Sequence, residues 1–404
     1  MYPAADMESF TTTVQVPPEL VYRAFTRGVG LCEWLCNGAR TFPKVGGMVT
    51  MWWNSGYYTV GEFVRLEPNH SVVLNWQGRS EPHPSQVQVQ LSAEEGQTLV
   101  EVIHRGLGSE EIWTEPRREL HKIWEQGLEN LKSVLETGKD LRVVNRPGMG
   151  IYPAELSTEM KKEHKFPVDK GIFLHQVIEG RGAEKAGLEK GDLVTKLAGS
   201  PLERIETLLQ VLARQKMGTQ VEVEFYRGME KRVVYLELMP LPMPQVPETH
   251  EELIQKLEES YEAEYHKLQE TLAGVTDEQA NWKPAAEEWS IKEILAHLIH
   301  TERDNQVGMH TLLLDEDFEW VDNTLERGVA TIAVYPSVAE LMDEVYRSQK
   351  ETIHFLKVLP QSFLARKGSY WKVAQNLLTN DTHMEEHADQ ILENLRQISA
   401  IRNP

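Results

Sequence analysis

The sequence predicts a multidomain protein whose three segments differ in class: α+β first, mostly β second, all α third. Three observations predict it. Six strand-like runs closed by one long amphipathic helix fill residues 1–140. Strands punctuated by glycine turns, with one helix among them, fill residues 141–240. Four amphipathic helices, three of them opened by capping boxes, fill residues 249–404, entered through a proline-rich linker at 241–248. A chain of 404 residues is too long for one ordinary core at roughly 150 residues per domain.

Composition narrows the function classes. Hydrophobic content of 41% with 26% charged residues fits a soluble globular chain. The longest apolar runs fall short of the roughly 20 residues that span a bilayer. The start, Met1-Tyr2-Pro3-Ala4-Ala5-Asp6, lacks a basic stretch followed by an apolar one, so no secretory leader is expected. Cys32 and Cys36 flank Trp34 and Leu35, which favours two buried thiols in a reducing compartment, hence a cytoplasmic location, over a disulfide. A metal site on that pair is the less favoured alternative. Net charge is −20, divided as −6 over residues 1–140, +2 over 141–240 and −16 over the remainder. No segment carries the basic stripe that phosphate neutralisation needs, so nucleic acid is excluded as a partner. The acidic balance argues equally against an anionic membrane.

In the first segment Phe10–Val16 reads as a strand, and Pro17-Pro18-Glu19 opens a helix over Leu20–Phe25. Strands follow at Met48–Trp53, Tyr57–Leu66, Ser71–Trp76, Gln86–Leu91 and Leu99–Arg105, parted by turns such as Gly46-Gly47 and Glu94-Glu95-Gly96. After Glu115-Pro116 a long helix carries Leu120, Trp124, Leu128, Leu131 and Leu135 at helical spacing. This order, with Pro-Pro-Glu-Leu-Val-Tyr-Arg-Ala-Phe early and Trp34 soon after, resembles the START-like (SRPBCC) superfamily, in its branch of heat-shock ATPase activator homologues. The resemblance implies a curved sheet gripping the long helix, often around an apolar cavity for a small apolar ligand. Trp52, Trp53, Trp76, Trp113 and Trp124 are candidates to line it, with Trp52, Trp76 and Trp124 foremost; the alternative is that they are ordinary core.

In the second segment Gly171-Ile172-Phe173-Leu174, Gly182-Ala183-Glu184-Lys185-Ala186-Gly187-Leu188 and Lys190-Gly191-Asp192-Leu193-Val194 place glycines where the chain turns with positive φ. They resemble a PDZ domain of the bacterial protease type. By that resemblance Met149-Gly150-Ile151 would present backbone N–H groups to the terminal carboxylate of a partner's C-terminal peptide. The peptide would add as a strand beside the helix bearing Leu208 and Leu212. The alternative is a module that only docks its neighbours. No strained, glycine-rich serine nucleophile turn accompanies it, so proteolysis is not expected.

Met239-Pro240-Leu241-Pro242-Met243-Pro244-Gln245-Val246-Pro247 favours an extended spacer, expected to hold the last segment away from the first two. Beyond it, Thr249-x-x-Glu252, Ser290-x-x-Glu293 and Ser337-x-x-Glu340 are capping boxes. They predict helices over 249–273, 290–314 and 337–358, with a fourth from Trp371 to about Ala400, together a four-helix bundle. His383-Met384-Glu385-Glu386-His387 puts two imidazoles one turn apart on that last helix, and His297 lies at the edge of an earlier apolar stripe. Trp282-Lys283-Pro284, Trp289-Ser290, His297 and His383-x-x-x-His387 resemble the DinB-like family. The resemblance implies a divalent transition metal (zinc, nickel or iron) held by His297, His383 and His387. Asp304, two turns after His297, reads as a supporting carboxylate, a fourth ligand or a solvated helix carboxylate. Glu386 should point away, and His300, His310 and His354 read as surface residues.

Two functions follow. One is a multi-module binding protein, a stress-related adaptor with an apolar-ligand cavity, a peptide-end groove and a three-histidine metal site. The other, which the DinB-like resemblance implies, is a metal-dependent thiol S-transferase-like enzyme, for which three imidazoles would leave an ion's fourth position open.

Overall fold

The computed structural model describes residues 6–285, 288–316 and 324–402; the side chains of Glu159 and of residues 381–383, 385 and 401–402 lie outside that description. Three kinds of layer are present, as the sequence predicts. The first segment is a seven-stranded antiparallel sheet in the order β1-β7-β6-β5-β4-β3-β2. Its strands are β1 (Met7–Val14), β2 (Gly38–Thr41), β3 (Met48–Trp52), β4 (Tyr58–Glu67), β5 (Ser71–Gly78), β6 (Ser85–Glu94) and β7 (Gln97–Arg105). Helices α1 (Pro18–Thr26) and α2 (Gly28–Trp34) cross between β1 and β2, and α3 (Thr114–Thr137) follows the last strand. Alternation makes the grip: Val87, Val89 and Leu91 of β6 and Val100 and Val102 of β7 turn inward to the same core as Leu120, Trp124, Leu128 and Leu131 of α3.

The second segment forms its own sheet. Strands β8 (Ile151–Glu155), β9 (Ile172–Val177), β10 (Leu193–Leu197), β11 (Gln220–Arg227) and β12 (Glu230–Glu237) run in the order β12-β11-β10-β9-β8, which leaves β8 at an edge. Helix α4 (Ile205–Ala213) buries Leu208, Val211 and Leu212 in this segment's core.

The third segment has four long helices: α5 (His250–Thr271), α6 (Ile291–Leu313), α8 (Val338–Lys357) and α9 (Lys367–Arg402), with a shorter α7 (Leu325–Val334) between α6 and α8. All three predicted capping boxes form, each side chain and backbone amide satisfying the other. The core falls into two clusters, one around Leu257, Leu356 and Phe363, the other around Leu295, Leu341 and Ile391.

The spacer expectation needs correction. Residues up to Lys139 and from Pro244 onward form one compact unit, and Asp140–Met243 forms another. Far from standing off, the end of the spacer is fastened to the bundle, for Gln375 Nε2 donates to the Pro244 carbonyl at 2.7 Å. A buried ionic cluster joins the first segment to the bundle. Arg23 of α1 donates through Nη1 and Nη2 to both carboxylate oxygens of Glu33, at 2.9 and 3.0 Å, and through Nε to Asp315 at 2.8 Å. Ser369 of α9 bonds both Arg23 and Glu33. Glu33 is only 2% exposed. Around it the backbones meet closely: a Cβ on Gly138 would lie 2.6 Å from the Lys367 carbonyl, and one on Gly368 would lie 2.7 Å from Val134 Cγ1.

A buried pair broken on one side strands a charge, at about 3–5 kcal/mol. Glu33→Ala is therefore expected to destabilise the first segment and the bundle together. Urea unfolding followed in parallel by tryptophan fluorescence and by helical circular dichroism should show both midpoints moving by the same amount. Movement of only one would disprove the shared unit.

Candidate functional site

The last helix and α6 bring two of the expected histidines together. His297 and His387 have ring centroids 4.8 Å apart at 73°. Trp289, just before the α6 cap, packs against both, at 4.8 Å from His297 and 5.9 Å from His387. The Trp289 carbonyl is held by Asn394 Nδ2 at 2.9 Å, so a residue of α9 fixes the loop that carries the indole. His387 Nδ1 lies 3.0 Å from Gln390 Oε1, and since an amide oxygen only accepts, Nδ1 donates its proton there. The side chain of His383 lies outside the described residues, and among the described residues no group of three or more His, Cys, Asp or Glu side chains is placed to hold an ion.

A cavity of about 100 Å³ opens beside His297, lined also by Trp289, Glu293, His300, Thr324, Leu325 and Gly328. Glu293 sits on its wall. Burial pushes its carboxyl up, but hydrogen bonds from Lys283 and from the Ser290 cap outweigh this and hold it below its usual range. His300 is not a surface residue: it is 2% exposed and shares a 2.8 Å hydrogen bond with Thr331 Oγ1 of α7. His310 and His354 are exposed, as is Glu386. Asp304 is neither a free surface carboxylate nor turned to the imidazoles, because Arg327 grips both its oxygens at 2.7 and 2.8 Å.

In the second segment Met149, Leu208 and Leu212 are buried and Ile151 is half-buried at the start of the edge strand β8. Gly150 has φ +82°, and a Cβ there would come within 2.2 Å of Arg181 Cβ, so this position requires glycine. The carbonyls of the loop are engaged, Met149 by the Ala183 amide at 2.8 Å and Gly150 by the Ile178 amide at 2.9 Å.

In the first segment Trp76 and Trp124 are 1% and 2% exposed, whereas Trp52 is 40% exposed. Trp52 alternates with the inward Met51 and lies on the outer face of β3 over Gly38, so its ring does not line the interior. The interior rings belong to a polar network that the sequence reading missed. Trp124 Nε1 donates to His104 Nδ1 at 3.0 Å, which leaves His104 Nε2–H to donate to Ser85 Oγ at 2.7 Å. Trp76 Nε1 and the Tyr57 hydroxyl both reach Glu81 Oε1, at 3.2 and 2.7 Å. Burial raises the Glu81 carboxyl even though three hydrogen bonds oppose it. Burial also pushes the His104 imidazole down to about 3.

These features define a chain assembled from three modules of different class. Each module matches a family model. Residues 15–136 match the model of Activator of Hsp90 ATPase homolog 1-like protein, residues 147–238 the PDZ domain, and residues 260–391 the DinB superfamily. Among curated proteins, the periplasmic pH-dependent serine endoprotease DegQ of Escherichia coli is 33% identical over 89 residues, 22% of this chain and 20% of DegQ. Periplasmic serine endoprotease DegP of the same organism is 31% identical over 103 residues, 26% of this chain and 22% of DegP. The chain thus spans about a fifth of the length of these relatives. Among solved structures, an HSP90 activator from Plasmodium falciparum is 27% identical, covering 32% of this chain and 96% of its own, with TM-score 0.28. The Aha1 dimer from Colwellia psychrerythraea is also 27% identical, covering 33% and 98%, with TM-score 0.29. No helix among the described residues is long and apolar enough to cross a membrane.

The neutral His104 generates a pH test. Unfolded, it takes up a proton near its ordinary 6.5; folded, it does so only near 3. The stability tied to its neutrality is present above about 6.5 and lost as pH falls, by up to about 1.4 kcal/mol per pH unit. Urea titrations between about pH 7 and 5 should show that slope in the wild type. It should be gone in His104→Gln; a flat wild-type profile would refute the assignment.

Proposed function

We propose that this chain is a multi-module binding protein, a stress-related adaptor that takes a C-terminal peptide in its second segment and a divalent transition metal in its bundle. The observation that carries the reading is the exposed edge of β8, entered through Met149-Gly150-Ile151 beside α4. A peptide added there gains main-chain hydrogen bonds along β8, and its carboxylate meets the amides of the loop. The stress-related part comes from the family description of the first segment, and a small apolar ligand there would lie against Trp76 and Trp124. The two buried thiols, Cys32 and Cys36, support a reducing, cytoplasmic setting.

For the metal, the donor chemistry fits. Two imidazole ligands with bonds of about 2.0–2.1 Å and a tetrahedral angle have ring centres about 5 Å apart, close to the 4.8 Å between His297 and His387. His383, one turn before His387, completes the proposed set of zinc, nickel or iron ligands. Gln390 fixes the His387 tautomer, and Trp289 shields the pair from water on one side. The cavity beside His297 favours a second reading, thiol S-transfer. A bound divalent ion would lower the pKa of a small thiol and so supply a thiolate at neutral pH.

Peptides ending in an apolar residue should bind with a free carboxylate and lose binding when amidated, and Gly150→Val should abolish it; fluorescence polarisation reads this. Equal binding of acid and amide would sink the groove assignment. Elemental analysis of purified protein should find bound metal, and His297→Ala and His387→Ala should each weaken its retention at least roughly tenfold, since losing even a supporting group costs 10–100-fold. Thiol consumption with a reactive electrophile, present in the wild type and absent in those variants, would decide for the enzyme.

A further inference from the structure

The outer face of the first segment's sheet is divided in a way that its fold does not require. On β5 and β6 that face carries Asn75, Gln77, Gln86, Gln88 and Gln90, an ordinary wet surface. On β3 and β4 it carries Met48, Trp52, Tyr58 and Val60, each between 40% and 49% exposed. The register sets Trp52 directly opposite Tyr58 and Thr50 opposite Val60, so these side chains form one strip across two strands. Phe42 and Val45, 58% and 66% exposed, extend it toward the sheet edge at β2. A contiguous apolar strip of this kind marks an interaction surface. Its charges run against the balance of its own segment: Arg40, Lys44, Arg65 and Arg79 are exposed around it against Glu62 and Glu67, on a segment of net charge −6.

The same compact unit offers a complementary surface. Between α5 and α8 of the bundle lies a groove of about 640 Å³ with Tyr261, Gln349 and Ile353 along its buried floor. Glu258, Glu259 and Glu262 wall it on the α5 side. Helix α5 carries seven glutamates against two lysines. On the α8 side Lys350 is folded over the Tyr346 ring at 4.7 Å, and Tyr346 itself stacks on Tyr265 at 4.4 Å.

We propose that the chain self-associates, the basic-rimmed strip around Trp52 and Tyr58 of one copy docking into the acidic, aromatic groove between α5 and α8 of another. Apolar side chains from the strip fill the groove, and Arg40, Lys44 and Arg65 meet the α5 glutamates. The basic rim disfavours strip-to-strip pairing, because like charges would face each other. The contact is therefore heterologous, between two different patches. Being partly ionic at its rim, it weakens with salt.

Sedimentation equilibrium of the full chain at low salt tests this. The wild type should associate with concentration at up to roughly 100 µM and dissociate as salt is raised. Trp52→Glu should weaken association at least roughly tenfold, as should the double variant Glu259→Lys/Glu262→Lys, with circular dichroism unchanged in both. Mixing these two variants restores association, because one keeps an intact groove and the other an intact strip. A wild type that stays monomeric overturns the proposal. So does association indifferent to Trp52→Glu, a mixture that stays apart, or undiminished association of the Glu259→Lys/Glu262→Lys variant, which is the result for strip-to-strip pairing. Binding of the wild type to anionic phosphatidylserine vesicles without self-association overturns it in favour of a lipid surface.

Discussion

The unit that holds the three candidate metal ligands depends on one buried ion cluster. Arg23 lies under α9 with its guanidinium shared between Glu33 and Asp315. Burial alone would weaken its charge, but the two carboxylates outweigh that and hold it firmly protonated. Such a cluster contributes less net stability than its short distances suggest, since desolvation offsets most of the attraction. What it does supply is registration. Three groups with fixed hydrogen-bond directions allow one seating of α1 and α2 against α9, whereas a purely apolar contact would tolerate sliding. Val29 of α2, 1% exposed, then packs with the bundle's own core cluster, so the two segments share apolar surface as well as charge.

Inside the bundle a second polar feature divides the core. Leu295, Leu298, Glu302, Asn305, Met309 and Leu312 follow one seam of α6, with the two polar residues at its centre. Glu302 accepts from Thr352 at 2.7 Å and from Tyr261 at 3.4 Å, while Asn376 donates to Asn305 at 2.8 Å. The apolar clusters lie on either side of this layer. One is the end welded to the first segment; the other carries Trp289, His297 and His387. This layer penalises a helix shifted by one turn, because the shift would leave Glu302 buried without Thr352. The distance between the two imidazoles thus rests on hydrogen bonds two turns away.

Much of this was legible beforehand, and the exceptions have physical causes. Helix starts were read from side-chain chemistry, and Thr249, Ser290 and Ser337 are the N-caps. The α2 helix was missed because Gly28 and Gly30 argue against a helix. Gly30 is there for close approach, since a Cβ would lie 2.6 Å from the Arg23 carbonyl. The strand β2 was missed as a four-residue edge with little β propensity. The last helix begins a turn before Trp371, at Lys367, where tertiary contacts around Gly368 and Ser369 override local preference. Trp52 was grouped with the interior rings although alternation with Met51 already placed it outside. Glu302 and Asn305 stood in an apolar seam, which was the available sign of a buried polar layer. His300 had no such sign, because its partner Thr331 lies on α7, a short helix the pattern did not reveal.

The second segment is an insertion, and the anchoring of its ends explains why the other two can act as one body. The chain leaves the first segment at Gly138, whose left-handed backbone (φ +81°) caps α3 and rests on Lys367 and Trp371 of α9. It rejoins at Pro244, held by Gln375 of the same helix. Residues 371 and 375 are one turn apart, about 6 Å along the helix axis. Exit and return points this close let a hundred residues be spliced in without separating what lies on either side. The inserted segment has a core cluster of its own around Ile172, Leu174, Val223 and Phe225.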